Sequence, residues 1–344
     1  MAVTVWESMG VEVVYLSHDV FYKHFAGPHH IERPERLLAV EEGVARSGLE
    51  IQAVVPDAAD RAALSTVHDP SYIDALREFC LSGGGSIDSD THAVTETWEA
   101  SIRAAGSGLT AIPLLGDGGV ALAAVRPPGH HATSNRAMGF CFLNNAAVAA
   151  AHLLAMGRRV AIVDWDVHHG NGTQEIFSEV ADVLYVSIHQ SPFYPLTGHI
   201  EDMGLAGGTV VNLPVPMGTG GDLYRRAFGE MIEPIISQFH PDWLLVSAGY
   251  DAHSSDPLGG LRLVDSDYGY MSARLRELLP EIPAIVFLEG GYDLEALASG
   301  VDATLRGLAG VDEFSEEAGG ASSPDLAFQA LEVAKELAAR FWSL

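Results

Sequence analysis

Along the chain, short aliphatic runs alternate with longer stretches whose apolar positions recur at helical spacing. The runs at 11–16, 120–125, 160–163, 183–188, 243–247 and 284–288 are rich in β-branched residues and too short for helices, as expected of strands buried on both faces. Between them, 35–46, 70–81, 95–112, 145–156, 222–239, 268–279 and 294–308 read as amphipathic or Ala-rich helices. A last helix at 325–341 follows a Glu-, Gly- and Ser-rich linker at 311–324. This alternation predicts a single α/β domain, a mostly parallel central sheet with helices on both faces, spanning 1–310, with 311–344 as an appendage packed on it. Ligands of such sheets bind beyond the carboxyl ends of the strands, so the decisive residues are expected directly after apolar runs.

Composition narrows the function classes. With 48% hydrophobic residues in 344, the chain can bury a large core. Asp and Glu number 46 against 19 Lys and Arg, and the formal charge of -27 repels nucleic acid and anionic lipid, so neither is an expected partner. Cys80 and Cys141 are the only cysteines, which excludes a disulfide framework. The N-terminus lacks a basic leader and no apolar run is long enough to cross a membrane, so a soluble cytoplasmic protein is expected; a homo-oligomer is compatible with the sequence.

Four polar clusters follow apolar runs. Arg126-Pro127-Pro128-Gly129-His130-His131 places adjacent histidines after a rigid turn. In Asp164-Trp165-Asp166-Val167-His168-His169-Gly170-Asn171, strand periodicity would point Asp164, Asp166 and His168 to one side. Three such groups in a buried place call for a cation or many hydrogen bonds, and helix capping accounts for only one carboxylate. A magnesium phosphotransfer site is disfavoured, since the segment has no basic residue or glycine cradle for phosphate. Asp251 and Asp256 both follow the run at 243–247, and either could complete a site of two carboxylates and one imidazole, which leaves zinc an open position for water. Glu289-Gly290-Gly291-Tyr292 presents a phenol at the end of the run at 284–288. A metal, a histidine and a phenolic donor together suit hydrolysis of an amide without an acyl-enzyme.

At these residues the sequence resembles the histone deacetylase family, especially the class II enzymes and bacterial deacetylase-like amidohydrolases, which share the arginase/deacetylase fold. The motifs are Arg126-Pro-Pro-Gly-His-His131, Gly139-Phe-Cys-Phe-Leu-Asn-Asn145, Asp164 through Thr173, Asp256-Pro-Leu-Gly-Gly260 and Glu289-Gly-Gly-Tyr292, in the expected order across 15–309. The resemblance implies that Asp166, His168 and Asp256 hold a catalytic zinc, with Asp256 chosen over Asp251. It makes His131 the general base toward water and then the acid toward the leaving amine, His130 an electrostatic partner paired with Asp164, and Asn171 the group that orients His131, in the class II manner. Tyr292 would donate to the oxyanion, the Gly139 carbonyl would accept the substrate amide, and Phe140 and Tyr194 would wall an acyl-lysine tunnel; Tyr194 stands where Phe is usual.

Structural potassium is implied at two sites, one matched by Asp164, Asp166, His168, Ser187 and Ile188 and the other by Phe177, Val180 and Val183. Arg36 matches the arginine near the acetate exit, within a loop where Ile31 replaces the usual Pro. The implied substrate is acetyl-lysine in a peptide or protein, or a small acylated amine. An acetylpolyamine is the alternative: the polyamine-preferring relative carries Glu where this chain has Leu258, although Asp88, Asp90, Glu201 or Asp202 could supply rim charge. Gly170 lacks the carboxylate that a binuclear arginase-like centre would need, and the retained Tyr292 disfavours a silent binding module.

Overall fold

A computed structural model describes residues 13–311, 314 and 320–344. Ten strands are present among these: β1 Val13–Leu16, β2 Ile51–Val54, β3 Gly85–Ser86, β4 His92–Ala93, β5 Val120–Ala123, β6 Val160–Asp164, β7 Val183–Gln190, β8 Val210–Val215, β9 Trp243–Ala248 and β10 Ala284–Leu288. Eight of them form one sheet in the order β2-β1-β5-β10-β9-β6-β7-β8, with every pairing parallel, and β3 and β4 form a small antiparallel ribbon. The helices are α1 Glu35–Ser47, α2 Arg61–Leu64, α3 Pro70–Leu81, α4 Thr95–Ala111, α5 Asn145–Ala155, α6 Asn171–Phe177, α7 Gly221–Ala227, α8 Glu233–Phe239, α9 Asp265–Leu278, α10 Leu294–Leu308 and α11 Asp325–Ala338.

Burial explains why the central strands carry no alternation. Every residue of β5, β6, β7, β9 and β10 is buried, because helices cover both faces; the few polar ones near the carboxyl ends, such as Asp164 and Ser247, are hydrogen-bonded. Close approach needs small residues: a Cβ on Gly108 of α4 would meet Ala149 of α5 at 2.5 Å and the Phe287 ring at 3.0 Å. Polar caps fix where site-bearing helices begin. Asn144 accepts from the Ala147 amide at the start of α5, and Asp293 accepts from Ala296 at the start of α10.

The structure departs from the sequence expectation in three places. Edge strands β2 and β8, the β3–β4 ribbon and the short α2 and α6 are not among the expected elements. The helix expected at 222–239 is α7 and α8 joined by a π-helical turn, Phe228–Ile232. Pro234 in the first turn of α8 has no N–H to give, which suits an interruption there. The first run narrows to Val13–Leu16, with 11 and 12 outside the described residues, and the same holds for 312–313 and 315–319 of the linker. Beyond it, α11 lies along β8 and α7. Lys335 pairs with Glu230 at 2.6 Å, and the Trp342 indole donates to the Gly208 carbonyl at 2.9 Å. No helix among the described residues is long and apolar enough to cross a membrane.

Candidate active site

The loops leaving β5, β6, β9 and β10, neighbours at the middle of the sheet, converge on a cavity of about 420 Å³. Its floor contains His130, His131, Asp166, His168 and Tyr292; its walls contain Gly139, Phe140, Phe193 and Tyr194; His29, His30, Asp90 and Leu258 lie toward its mouth.

Asp166 and His168 of the floor and Asp251, buried behind them, each bring a ligand atom within 4.8 Å of the others. His168 Nδ1 lies 3.0 Å from Asp166 Oδ1 and 3.2 Å from Asp251 Oδ2. The remaining oxygens are anchored: Asp166 Oδ2 accepts from the Gly290 amide at 2.8 Å, and Asp251 Oδ1 from Val167 at 2.9 Å. Asp251 Oδ2 is buried without a properly aligned hydrogen bond, although His168 is near. Burial first, then the neighbouring Asp166, raises its pKa to about 7. A buried carboxylate oxygen aimed at a second carboxylate and an imidazole is a donor set that fits a divalent cation, and two oxygens with one nitrogen is a set zinc accepts.

Asp256, which the resemblance implies as the third ligand, is not one of these three residues but lies on the same loop after β9. Its Oδ1 accepts from the Leu258 amide at 2.9 Å, and its Oδ2 accepts from Tyr292 at 2.7 Å and Asp293 at 3.2 Å. These bonds tie the loop after β9 to the loop after β10, and they leave lone-pair capacity on the carboxylate, as the backbone N–H bonds to Asp166 do on its own. Asp164 also departs from the expectation that it faces the cavity beside Asp166 and His168. Strand β6 ends at Asp164, so alternation does not carry through to 168. The Asp164 carboxylate instead takes His130 Nδ1 and the Tyr185 hydroxyl, each at 3.0 Å.

The two histidines of the loop after β5 are in different electrostatic states. Burial opposes charge on His130, but Asp164, Asp166 and Glu289 overcome it and raise its pKa to about 10. Burial and the neighbouring His130 and His168 push His131 well below the ordinary value, so it is neutral. Its Nδ1 donates to Asn171 Oδ1 at 2.8 Å, which assigns the tautomer and leaves Nε2 a free base. Burial holds the Tyr292 phenol well above its ordinary pKa, so it remains a donor. The Arg36 guanidinium lies 5.0 Å from the Tyr292 ring centroid and donates to the Gly291 carbonyl at 2.6 Å. Fully buried Glu32 pairs with both Arg36 and Arg126, which fixes the loop where Ile31 was noted.

The walls are aromatic and tight. Gly139 has φ +55°, and a Cβ there would meet the His131 ring at 2.4 Å, so no larger residue fits. Tyr194 stands edge-on to His131 at 5.2 Å, and Phe140 edge-on to Tyr292 at 6.0 Å. Phe193, not singled out from sequence, stacks on His168 with centroids 5.0 Å apart. Of the acidic rim candidates only Asp90 lines the cavity, and its carbonyl faces His30 Nε2 at 3.0 Å. A Cβ on Gly170 would lie 2.3 Å from Asp164 Oδ2 and 2.6 Å from the Tyr185 hydroxyl, so position 170 has no room for a ligand to a second metal.

Comparison with known proteins shows the family. The Histone deacetylase domain matches residues 30–308. The chain belongs to the histone deacetylase family. It is 39% identical over 306 residues to an uncharacterised Synechocystis protein, covering 87% of this chain and 99% of that one. To the histone deacetylase-like amidohydrolase of Pseudomonas aeruginosa it is 34% identical over 324 residues, covering 90% and 83%. The crystal structure of the HDA15 HD domain superposes with a TM-score of 0.87 at 33% identity, covering 96% of this chain and 95% of that one.

Proposed function

We propose that this family member is a zinc-dependent deacetylase acting on N-acetyl-lysine in peptides or proteins. The observation that carries the reading is the conjunction of Asp166 and His168, backed by buried Asp251, with neutral His131 and protonated Tyr292 at the floor of a narrow aromatic-walled cavity. Zinc held by these three residues would supply Lewis acidity toward an amide carbonyl and toward water. The free Nε2 of His131 then takes a proton from water and returns it to the departing amine, while the Asn171 contact keeps the ring in one orientation. His130, charged against Asp164, stays an electrostatic partner. The Tyr292 phenol donates to the developing oxyanion. Phe140 and Tyr194, which wall the cavity, would enclose an alkyl chain, and the Gly139 carbonyl would accept an amide N–H.

Leu258 at the mouth carries no charge to attract a polyamine, which favours acyl-lysine over acetylspermidine. Potassium is proposed at two places. Asp164 and Ser187 are register partners on β6 and β7, with Ile188 next in the strand; Phe177 and Val180 close successive turns before Val183. The deciding assay offers the zinc-loaded protein acetyl-lysine peptides, longer acyl-lysines and acetylpolyamines. Turnover of acetyl-lysine with the higher kcat/KM supports the reading. Preference for acetylspermidine transfers it to the polyamine alternative, and inactivity on all of them overturns it.

A further inference from the structure

Glu289 is fully buried directly after β10; its charge adds to those of Asp164 and Asp166 in keeping His130 protonated, but no step above uses its hydrogen bonds. One oxygen, Oε2, accepts from two consecutive amides of the loop after β5, Gly129 at 2.7 Å and His130 at 3.1 Å. The other, Oε1, accepts from the Ser247 hydroxyl of β9 at 3.2 Å. Because β10 lies between β5 and β9, the side chain reaches sideways to both neighbours. The same short loop is gripped from the opposite direction: the Gly172 and Thr173 amides at the start of α6 donate to the His130 carbonyl at 3.0 and 3.2 Å. The peptide that carries His131 is therefore clamped between a carboxylate and a helix start.

We infer that Glu289 is a positioning residue for His131, acting as a hydrogen-bond acceptor that fixes the Gly129–His130 backbone and through it the imidazole of the general base. The inference rests on the role proposed above for His131. A gap of one methylene matters here, since an acceptor retracted by about 1.5 Å no longer reaches either amide at hydrogen-bond distance. Loss of an anchor displaces the base more than it weakens substrate binding, because Glu289 does not line the cavity.

Two variants of similar size separate acceptor from charge. Glu289→Gln retains an oxygen for both amides and can donate its amide to Ser247, but removes the charge; Glu289→Asp keeps the charge and withdraws the oxygen. Deacetylation kinetics of the zinc-loaded proteins should show Glu289→Gln within about threefold of wild type in kcat. Glu289→Asp should fall by roughly tenfold or more with KM changed less than threefold and metal content intact. Hydrogen exchange of the 129–130 amides, read without substrate, should be wild-type in Gln and faster in Asp. The reverse order, or wild-type kcat and exchange in both variants, overturns the inference. If the wild-type protein hydrolyses no acyl amine, the functional reading fails, and exchange alone decides whether Glu289 anchors the loop.

Discussion

Replacing Asp256 by Ala and, separately, Asp251 by Ala tests the assignment of the third ligand most directly. Asp256 is 8% exposed and accepts three backbone N–H bonds, from Leu258, Tyr292 and Asp293. Hydrogen bonds to a charged group contribute about 1.5–3 kcal/mol each, and water entering the emptied space recovers part of that. A net loss of about 3–5 kcal/mol is therefore expected, and at roughly 2 °C per kcal/mol the melting temperature should fall by about 6–10 °C. Zinc should remain near one ion per chain after dialysis, because Asp166, His168 and Asp251 are untouched. Asp251→Ala should lose zinc, since it removes an oxygen from the donor set. Calorimetry with elemental analysis of the dialysed, folded proteins gives both numbers. Zinc lost from Asp256→Ala and retained by Asp251→Ala would refute the assignment.

Four further expectations follow from the same geometry. Tyr292→Phe should lower kcat by about 10² or more with zinc retained, and His131→Ala by at least as much; near wild-type turnover in either contradicts the assigned roles. Leu258→Glu should shift the kcat/KM ratio toward acetylspermidine, and an unchanged ratio would show that this position does not select substrate. An aliphatic hydroxamate that fills the cavity should inhibit the zinc form, whereas lack of inhibition at millimolar concentration argues against an accessible metal. His68, held neutral by burial with its pKa near about 4, accepts from the Asn144 amide at 3.0 Å while its Nδ1 faces the Thr133 carbonyl at 2.9 Å. The unfolded chain binds its proton at higher pH, so this contribution to stability is complete above about pH 6.5 and is lost as pH falls toward 4. His68→Gln should flatten the dependence of melting temperature on pH in that window, and an unchanged slope would show that this group is not responsible.

How far the sequence could be read depended on what each residue faces. The central strands were legible because burial on both faces leaves continuous apolar runs. Strand β2 has an exposed middle, and β8 contains Pro214, so edge position removed the usual signals from both. In the site, His131, Asn171, Phe140 and Tyr194 were identified by motif and lie together around the cavity. Asp251 and Asp256 were both visible as candidates, but a spacing of five residues within an irregular loop does not say which carboxylate turns inward. Long-range contacts orient the two carboxylates, the Val167 amide holding Asp251 and the Tyr292 amide holding Asp256, and none of these is visible in the local sequence. Glu289 stood in a recognised motif, but its partners, Gly129 and His130, are some 160 residues away and became evident only from the fold.

The position of β10 bears on how the protein is made. Among the described residues it is the last strand, yet it sits between β5 and β9, near the centre of the sheet. Until Ala284–Leu288 has emerged from the ribosome, β2-β1-β5 and β9-β6-β7-β8 have no strand to join them, and two unpaired edges remain open. The nascent chain thus carries its longest-lived aggregation hazard late in synthesis, and closure of the sheet coincides with delivery of Gly290 to Asp166 and Tyr292 to the cavity. Assembly of the sheet and assembly of the reactive centre are one event in time.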